Sequence, residues 1–115
     1  MIFYIILEEG DLMYKLLIVE DDFIIAKGLQ KHFEKYHYDV QYIEDFEHVL
    51  DEFLEFQPDL VLLDIHLPFF DGYYWCQEIR KISQIPIVFI SSANENMNIV
   101  LAMNITGMRG GLQLR

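Results

Sequence analysis

The sequence predicts an α/β fold, an open parallel sheet with helices on both faces, and two observations carry that prediction. Short apolar runs of strand length recur along the chain, and stripes of apolar residues at helical spacing separate them. Four such alternations imply right-handed crossovers and a doubly wound sheet.

The first run, Lys15 to Val19, ends in three acids, Glu20-Asp21-Asp22, after which Ile25, Leu29, Phe33 and Tyr36 recur as one helical face. Val40, Tyr42 and their neighbours form a second strand-like stretch. Asp45 is placed to cap a second helix carrying Phe46, Val49, Leu50, Phe53 and Leu54, which Pro58 closes. Leu60-Val61-Leu62-Leu63 is apolar without interruption, as expected of a strand covered on both faces, and stops at Asp64. A loop with Pro68 and Gly72 leads to a third stripe of Trp75, Cys76, Ile79 and Ile82. Ile87 to Ile90 is the fourth strand, followed by Ser91-Ser92 and a fourth helix expected over roughly Glu95 to Asn104.

With 115 residues the chain holds one ordinary domain, and its 53% hydrophobic content suits a packed core. Nineteen acidic against eight basic residues leave a net charge of -11, which argues against direct binding to nucleic acid or to an anionic membrane surface. A lone cysteine, Cys76, excludes an internal disulfide, fits a core position and suits a reducing, cytoplasmic setting. The apolar opening Met1 to Leu7 lacks the basic leader of a signal peptide and is too short to span a bilayer. His32, His37 and His48 are expected at exposed positions without a metal role, and Tyr73, Tyr74 and Trp75 as core and partial surface.

In an open parallel sheet, ligands bind beyond the carboxyl ends of the strands. Three strand ends here supply Glu20-Asp21-Asp22, Asp64 and Ser91-Ser92, which become neighbours if the first strand lies beside the third. Crowded carboxylates raise one another's pKa unless a cation compensates, and Mg²⁺ suits an all-oxygen donor set. With such screening a carboxylate can attack phosphorus to form an acyl phosphate, and Asp64 is the best placed.

Three ordered motifs then carry a resemblance. Leu16-Leu17-Ile18-Val19-Glu20-Asp21-Asp22, Asp64-Ile65-His66-Leu67-Pro68-Phe69-Phe70-Asp71-Gly72 and Pro86-Ile87-Val88-Phe89-Ile90-Ser91-Ser92 resemble the response-regulator receiver family of bacterial two-component systems. The likeness covers about residues 13 to 104. Its most diagnostic piece is an aspartate, Asp64, followed by Pro68 and Gly72. The resemblance implies a flavodoxin-like sheet of order 2-1-3-4-5 and phosphorylation of Asp64 by a sensor histidine kinase. It implies Mg²⁺ held by Asp21, its supporting partner Glu20, Asp64 and the backbone carbonyl of His66. Ser91 takes the role of switch hydroxyl, and Ser92 that of a small spacer. The parent protein is expected to control transcription through a winged-helix domain, as in envelope-stress or antibiotic-sensing systems.

Both ends depart from the pattern. The family's fifth-strand lysine, followed by proline, is absent, since the last lysine is Lys81. We therefore expect residues 1–12 to be an extension outside the family, with a natural start at Met13, residues 13–106 to be an incomplete receiver, and residues 107–115 to be an atypical tail from a truncated or frameshifted frame. Leu112 to Arg115 is a makeshift fifth strand at best, with Arg109 or Arg115 as a stand-in charge, and Phe3 to Leu7 an alternative edge strand. A sheet left open at the fourth strand is expected to give a marginal monomer and homodimers or oligomers through the exposed edge. On this reading the chain is a signalling domain rather than an enzyme. Two alternatives stay open: an inactive fragment acting only by partner binding, and an aspartate-nucleophile phosphatase of the haloacid-dehalogenase kind, which wants an acid where His66 stands.

Overall fold

In a computed structural model, which describes residues 13–91, seven elements alternate along the chain. They are β1 (Lys15–Val19), α1 (Phe23–Glu34), β2 (Asp39–Tyr42), α2 (Val49–Phe56), β3 (Leu60–Asp64), α3 (Gly72–Arg80) and β4 (Ile87–Ile90). The strands form one parallel sheet in the order β2-β1-β3-β4, so β1 does lie beside β3. The expected fourth helix, the fifth strand, Ser92, Arg109, Arg115 and the segment Phe3 to Leu7 lie outside the described residues.

The uninterrupted apolar strands have a direct explanation. Side chains alternate across a sheet, and here both faces are covered. Leu17, Val19, Val61, Leu63, Ile87 and Phe89 point to one face, where they pack with Val49 and Phe53 of α2 and with Trp75, Cys76 and Ile79 of α3. Leu16, Ile18, Val40, Leu62 and Val88 point to the other, beneath Ala26 of α1 and partly buried Leu29 and Phe33. Fully burying one such side chain stabilises the fold by about 1.5–3 kcal/mol, so these two clusters fix the register. That register pairs Val19 with Leu63 and Asp64 with Ile90, aligning the carboxyl ends of β1, β3 and β4.

Helix boundaries follow local chemistry. Asp22 caps α1, its carboxylate accepting from the amides of Ile24 and Ile25 at 3.0 and 3.2 Å. The helix ends with Lys31 and His32 in its last turn, where basic side chains meet the negative end of the helix dipole. α2 starts later than the sequence pattern suggested. Asp45 binds the Glu47 amide and the His48 ring and so stabilises a turn over 45–48, while the helix begins at Val49 behind a His48 that makes no side-chain cap. Gln57, in the left-handed conformation at φ 52°, closes α2 by donating its amide to the Phe53 carbonyl, and Pro58 prevents continuation.

Three positions of the apolar stripes stay out of the core. Leu54 is half exposed, and Ile82 lies beyond the end of α3 and is also half exposed. Tyr36 likewise falls after α1 rather than on its buried face. Cys76 is buried and free, as its position in the stripe implied. Among the described residues no helix is long and apolar enough to cross a membrane.

Candidate phosphoacceptor and metal site

Because the strands are parallel and in register, every chain turn after a strand opens on the same edge of the sheet. There the turn after β1 places Glu20 and Asp21, and β3 ends in Asp64. One carboxylate oxygen from each lies within 4.8 Å of the others. Glu20 is 2% exposed and Asp64 fully buried, whereas Asp21 faces solvent. This is an unfavourable arrangement for three negative charges. Desolvation, followed by the charges of Asp64 and Asp21, pushes the Glu20 carboxyl up to about 7, and an amide hydrogen bond from Asp22 only partly opposes this. Desolvation also raises Asp64 above the usual carboxylate range, with the Asp21 charge adding to it and the His66 amide working against it.

The hydrogen bonds leave this cluster incomplete. Glu20 Oε2 accepts from the Asp22 amide at 2.9 Å, and Asp64 Oδ1 receives a long contact of 3.4 Å from the His66 amide. The second oxygens, Glu20 Oε1 and Asp64 Oδ2, are buried without a hydrogen-bond partner. Two orphaned carboxylate oxygens beside a third, exposed carboxylate fit a hard, oxygen-loving divalent cation, which would satisfy them and cancel their repulsion. The cluster is thus able to hold a metal ion.

The loop after β3 shows why glycine follows Asp64 at the eighth position. Ile65 is pinned by donating its amide to the Ile90 carbonyl at 3.3 Å, and the Gly72 amide returns to the Ile65 carbonyl at 2.9 Å. A Cβ on Gly72 would sit 2.3 Å from the Asp64 carbonyl oxygen, inside any tolerable contact. Glycine therefore lets α3 start directly against the backbone of Asp64, and Asp71 caps that helix by accepting from the Tyr74 amide at 2.9 Å. Between them Phe69 takes a φ of 69°, with the Phe70 amide bonded to the Pro68 carbonyl across it, a tight three-residue turn that places Phe69 on the surface.

Ser91 follows Ile90, the strand partner of Asp64, and its Oγ is buried without a hydrogen-bond partner. The structure therefore brings Glu20, Asp21 and Asp64 together, sets Ser91 one residue beyond the position registered with Asp64, and places His66 two residues after it. Of the acidic run, Asp22 serves as a helix cap and is not part of the cluster. His32, His37 and His48 are exposed and away from it. Sequence reasoning missed a cleft beside Glu20 and Asp21 walled by Phe23, Tyr42, Glu44 and Phe46. Only the pairing of β1 with β2 brings those walls together, and no spacing in the chain signals it.

Comparison with known proteins agrees with this arrangement. The family model for the response regulator receiver domain matches residues 16–113. An uncharacterized transcriptional regulatory protein, YvcP, of Bacillus subtilis is 53% identical over 91 residues, which cover 79% of this chain and 38% of the relative. The response regulator protein GraR of Staphylococcus aureus is 42% identical over 91 residues, covering 79% of this chain and 41% of its own length. The chain thus spans about two fifths of these curated relatives. Among solved structures, the N-terminal domain of the nisin resistance regulator NsrR superposes with a TM-score of 0.73 at 42% identity, covering 89% of both chains. The BeF3-activated N-terminal receiver domain of Klebsiella pneumoniae RstA does so with a TM-score of 0.70 at 33% identity, covering 81% of this chain and 79% of that one. A flavodoxin-like parallel sheet with an acidic cluster at its carboxyl edge, matched by a family model over most of its length, makes this chain a member of the response regulator receiver domain family of two-component systems.

Proposed function

We propose that this chain is a phospho-accepting receiver in which Asp64 takes a phosphoryl group from a sensor histidine kinase in a Mg²⁺-dependent reaction. The observation that carries the reading is the buried, unpartnered Oδ2 of Asp64 beside Glu20 and Asp21 at the end of an interior strand. Glu20, Asp21, Asp64 and the carbonyl of His66 are the residues that would hold the cation. When bound, it supplies the positive charge that lets carboxylates and a phosphate share one site.

The chain's own residues do the rest. Asp64 Oδ2 attacks phosphorus, the bond from phosphorus to the kinase imidazole nitrogen breaks, and the histidine leaves neutral after taking up a proton. Burial of Asp64 keeps its nucleophilic oxygen free of water, and the Gly72 contact fixes its backbone. Ser91, with an uncommitted Oγ, donates to the new phosphoryl oxygen, drawing the end of β4 inward and biasing a two-state element. The net charge of -11 supports a protein partner over nucleic acid for this chain, and a cytoplasmic setting goes with a cytoplasmic kinase domain. Transcription control belongs to the longer proteins it resembles.

Incubation with acetyl phosphate and Mg²⁺ followed by intact mass measurement tests the reading. Gain of a single phosphoryl group, absent without Mg²⁺ and absent in Asp64→Ala, is expected. A folded protein that gains none, or an Asp64→Ala variant that still does, overturns it.

A further inference from the structure

Next to the acidic cluster, on the side away from β3, a half-open cleft of about 220 Å³ lies between the start of α1 and the end of β2. Besides Ala26 and Ile43, its walls are of two kinds. Three are carboxylates, Glu20, Asp21 and Glu44, and three are aromatic, Phe23, Tyr42 and Phe46. Glu20 is 98% buried and keeps one oxygen, Oε1, without a hydrogen-bond partner. Among the described residues no basic side chain lines the cleft.

The rim is built rather than loose. The Ile43 amide bonds to the Ile18 carbonyl at 2.9 Å, tying the end of β2 to β1. Glu52, in the first turn of α2, accepts from the amides of both Glu44 and Asp45, the latter at 2.9 Å. Phe23 and Tyr42 meet edge to face, with centroids 5.8 Å apart. These two rings already attract a cation of the chain's own, since Lys27 Nζ lies 5.9 Å from the Phe23 centroid and 5.8 Å from that of Tyr42.

Aromatic faces and carboxylates select the same ligand chemistry, a flat or compact organic cation. The planar guanidinium suits it best, because it stacks on rings and pairs with carboxylates through one fork of donors. The volume is below the range of about 300–1,000 Å³ that takes drug-sized molecules, and so fits a single head group on a short stem. From these observations we infer that the cleft formed by Glu20, Asp21, Phe23, Tyr42, Glu44 and Phe46 is a binding site for an alkylguanidinium group, such as the side chain of an arginine presented by a protein partner. Glu20 and Asp21 belong to both this cleft and the metal-holding cluster, so the two cations weaken each other. The inference does not depend on phosphorylation of Asp64.

The test is a titration of the ¹⁵N-labelled full chain, in EDTA, with methylguanidinium, followed by amide shifts. Saturable shifts confined to the amides around Phe23, Tyr42 and Phe46 are expected, with little response to uncharged N-methylurea. Glu44→Gln, a change at an exposed carboxylate that keeps side-chain size, is expected to weaken binding severalfold while leaving the remaining spectrum in place. Saturating Mg²⁺ is expected to weaken it on the order of tenfold through like-charge repulsion. A blocked Gly-Arg-Gly tripeptide separates the sources. Tighter binding than methylguanidinium assigns the site to a partner's arginine, and equal binding to a free small cation, both within the inference. Equal response to N-methylurea, shifts away from the cleft, or indifference to both Glu44→Gln and Mg²⁺ overturns it.

Discussion

Withdrawing divalent cations and raising the pH should destabilise this domain, and the size of the loss follows from Glu20. Its carboxyl, ordinarily near 4.5, is pushed up to about 7 in the folded chain, first by desolvation and then by its acidic neighbours. Between those two values the native state holds a proton that the unfolded chain has lost, so stability falls as pH rises through the window and levels off above it. At about 1.4 kcal/mol per pH unit, the rise from 4.5 to about 7 corresponds to a loss of about 3 kcal/mol. The elevated Asp64 acts in the same direction. That loss is a large share of the ~5–15 kcal/mol total stability of a small domain. Urea unfolding in EDTA at about pH 5 and about pH 7.5 measures it, with Glu20→Gln as the control in which the fall shrinks. Mg²⁺ at about 100 times its Kd should restore about 2.7 kcal/mol at the higher pH. Stability that holds or rises between the two pH values in EDTA, or an equal fall in Glu20→Gln, would refute the reasoning.

Other expectations follow from single contacts. Asp64→Asn removes one of three carboxylates clustered within 4.8 Å, so in EDTA at neutral pH it should stabilise the fold by about 1–3 kcal/mol while Mg²⁺ binding, followed by calorimetry, weakens at least tenfold; a less stable variant would contradict this. Gly72→Ala drives a methyl group to 2.3 Å from the Asp64 carbonyl and should cost about 2–3 kcal/mol in thermal unfolding, whereas an unchanged melting temperature would mean that the loop is free to move. Asp22→Ala removes the cap of α1 and should cost about 1 kcal/mol by urea titration without altering Mg²⁺ affinity, since Asp22 stands outside the acidic cluster of Glu20, Asp21 and Asp64.

Much of this architecture is legible in the chain because burial on both faces of a parallel sheet leaves a mark that periodicity cannot hide. Runs such as Leu60 to Leu63 and Ile87 to Phe89 are apolar at every position because each successive residue enters a different core cluster. The acids that follow the runs of β1 and β3 mark the candidate site for the same reason, since nothing in a core explains a fully buried Asp64. Helix ends were less legible. Asp45 carries the composition of a cap, yet four residues before α2 begins its carboxylate closes a turn with His48, a choice between two local hydrogen-bond patterns that residue type alone does not decide. Leu54 and Ile82 share the helical spacing of their neighbours but stay half exposed, outside both buried clusters of the described residues. The cleft walled by Phe23, Tyr42 and Phe46 was invisible because its walls come from elements some twenty residues apart that meet only through strand pairing. By contrast Gly72, noticed as part of a spacing, acquires its physical reason only from the 2.3 Å contact that a side chain would make.

The central claim is that the phosphoryl group goes to Asp64 and to no other residue. Borohydride reduction of the protein after acetyl phosphate and Mg²⁺ treatment converts an aspartyl phosphate to homoserine, and peptide mass sequencing locates it. Homoserine at position 64 alone is the predicted result. Homoserine at Asp21 or Asp22, or a borohydride-resistant phosphoryl group on Ser91, would contradict the account.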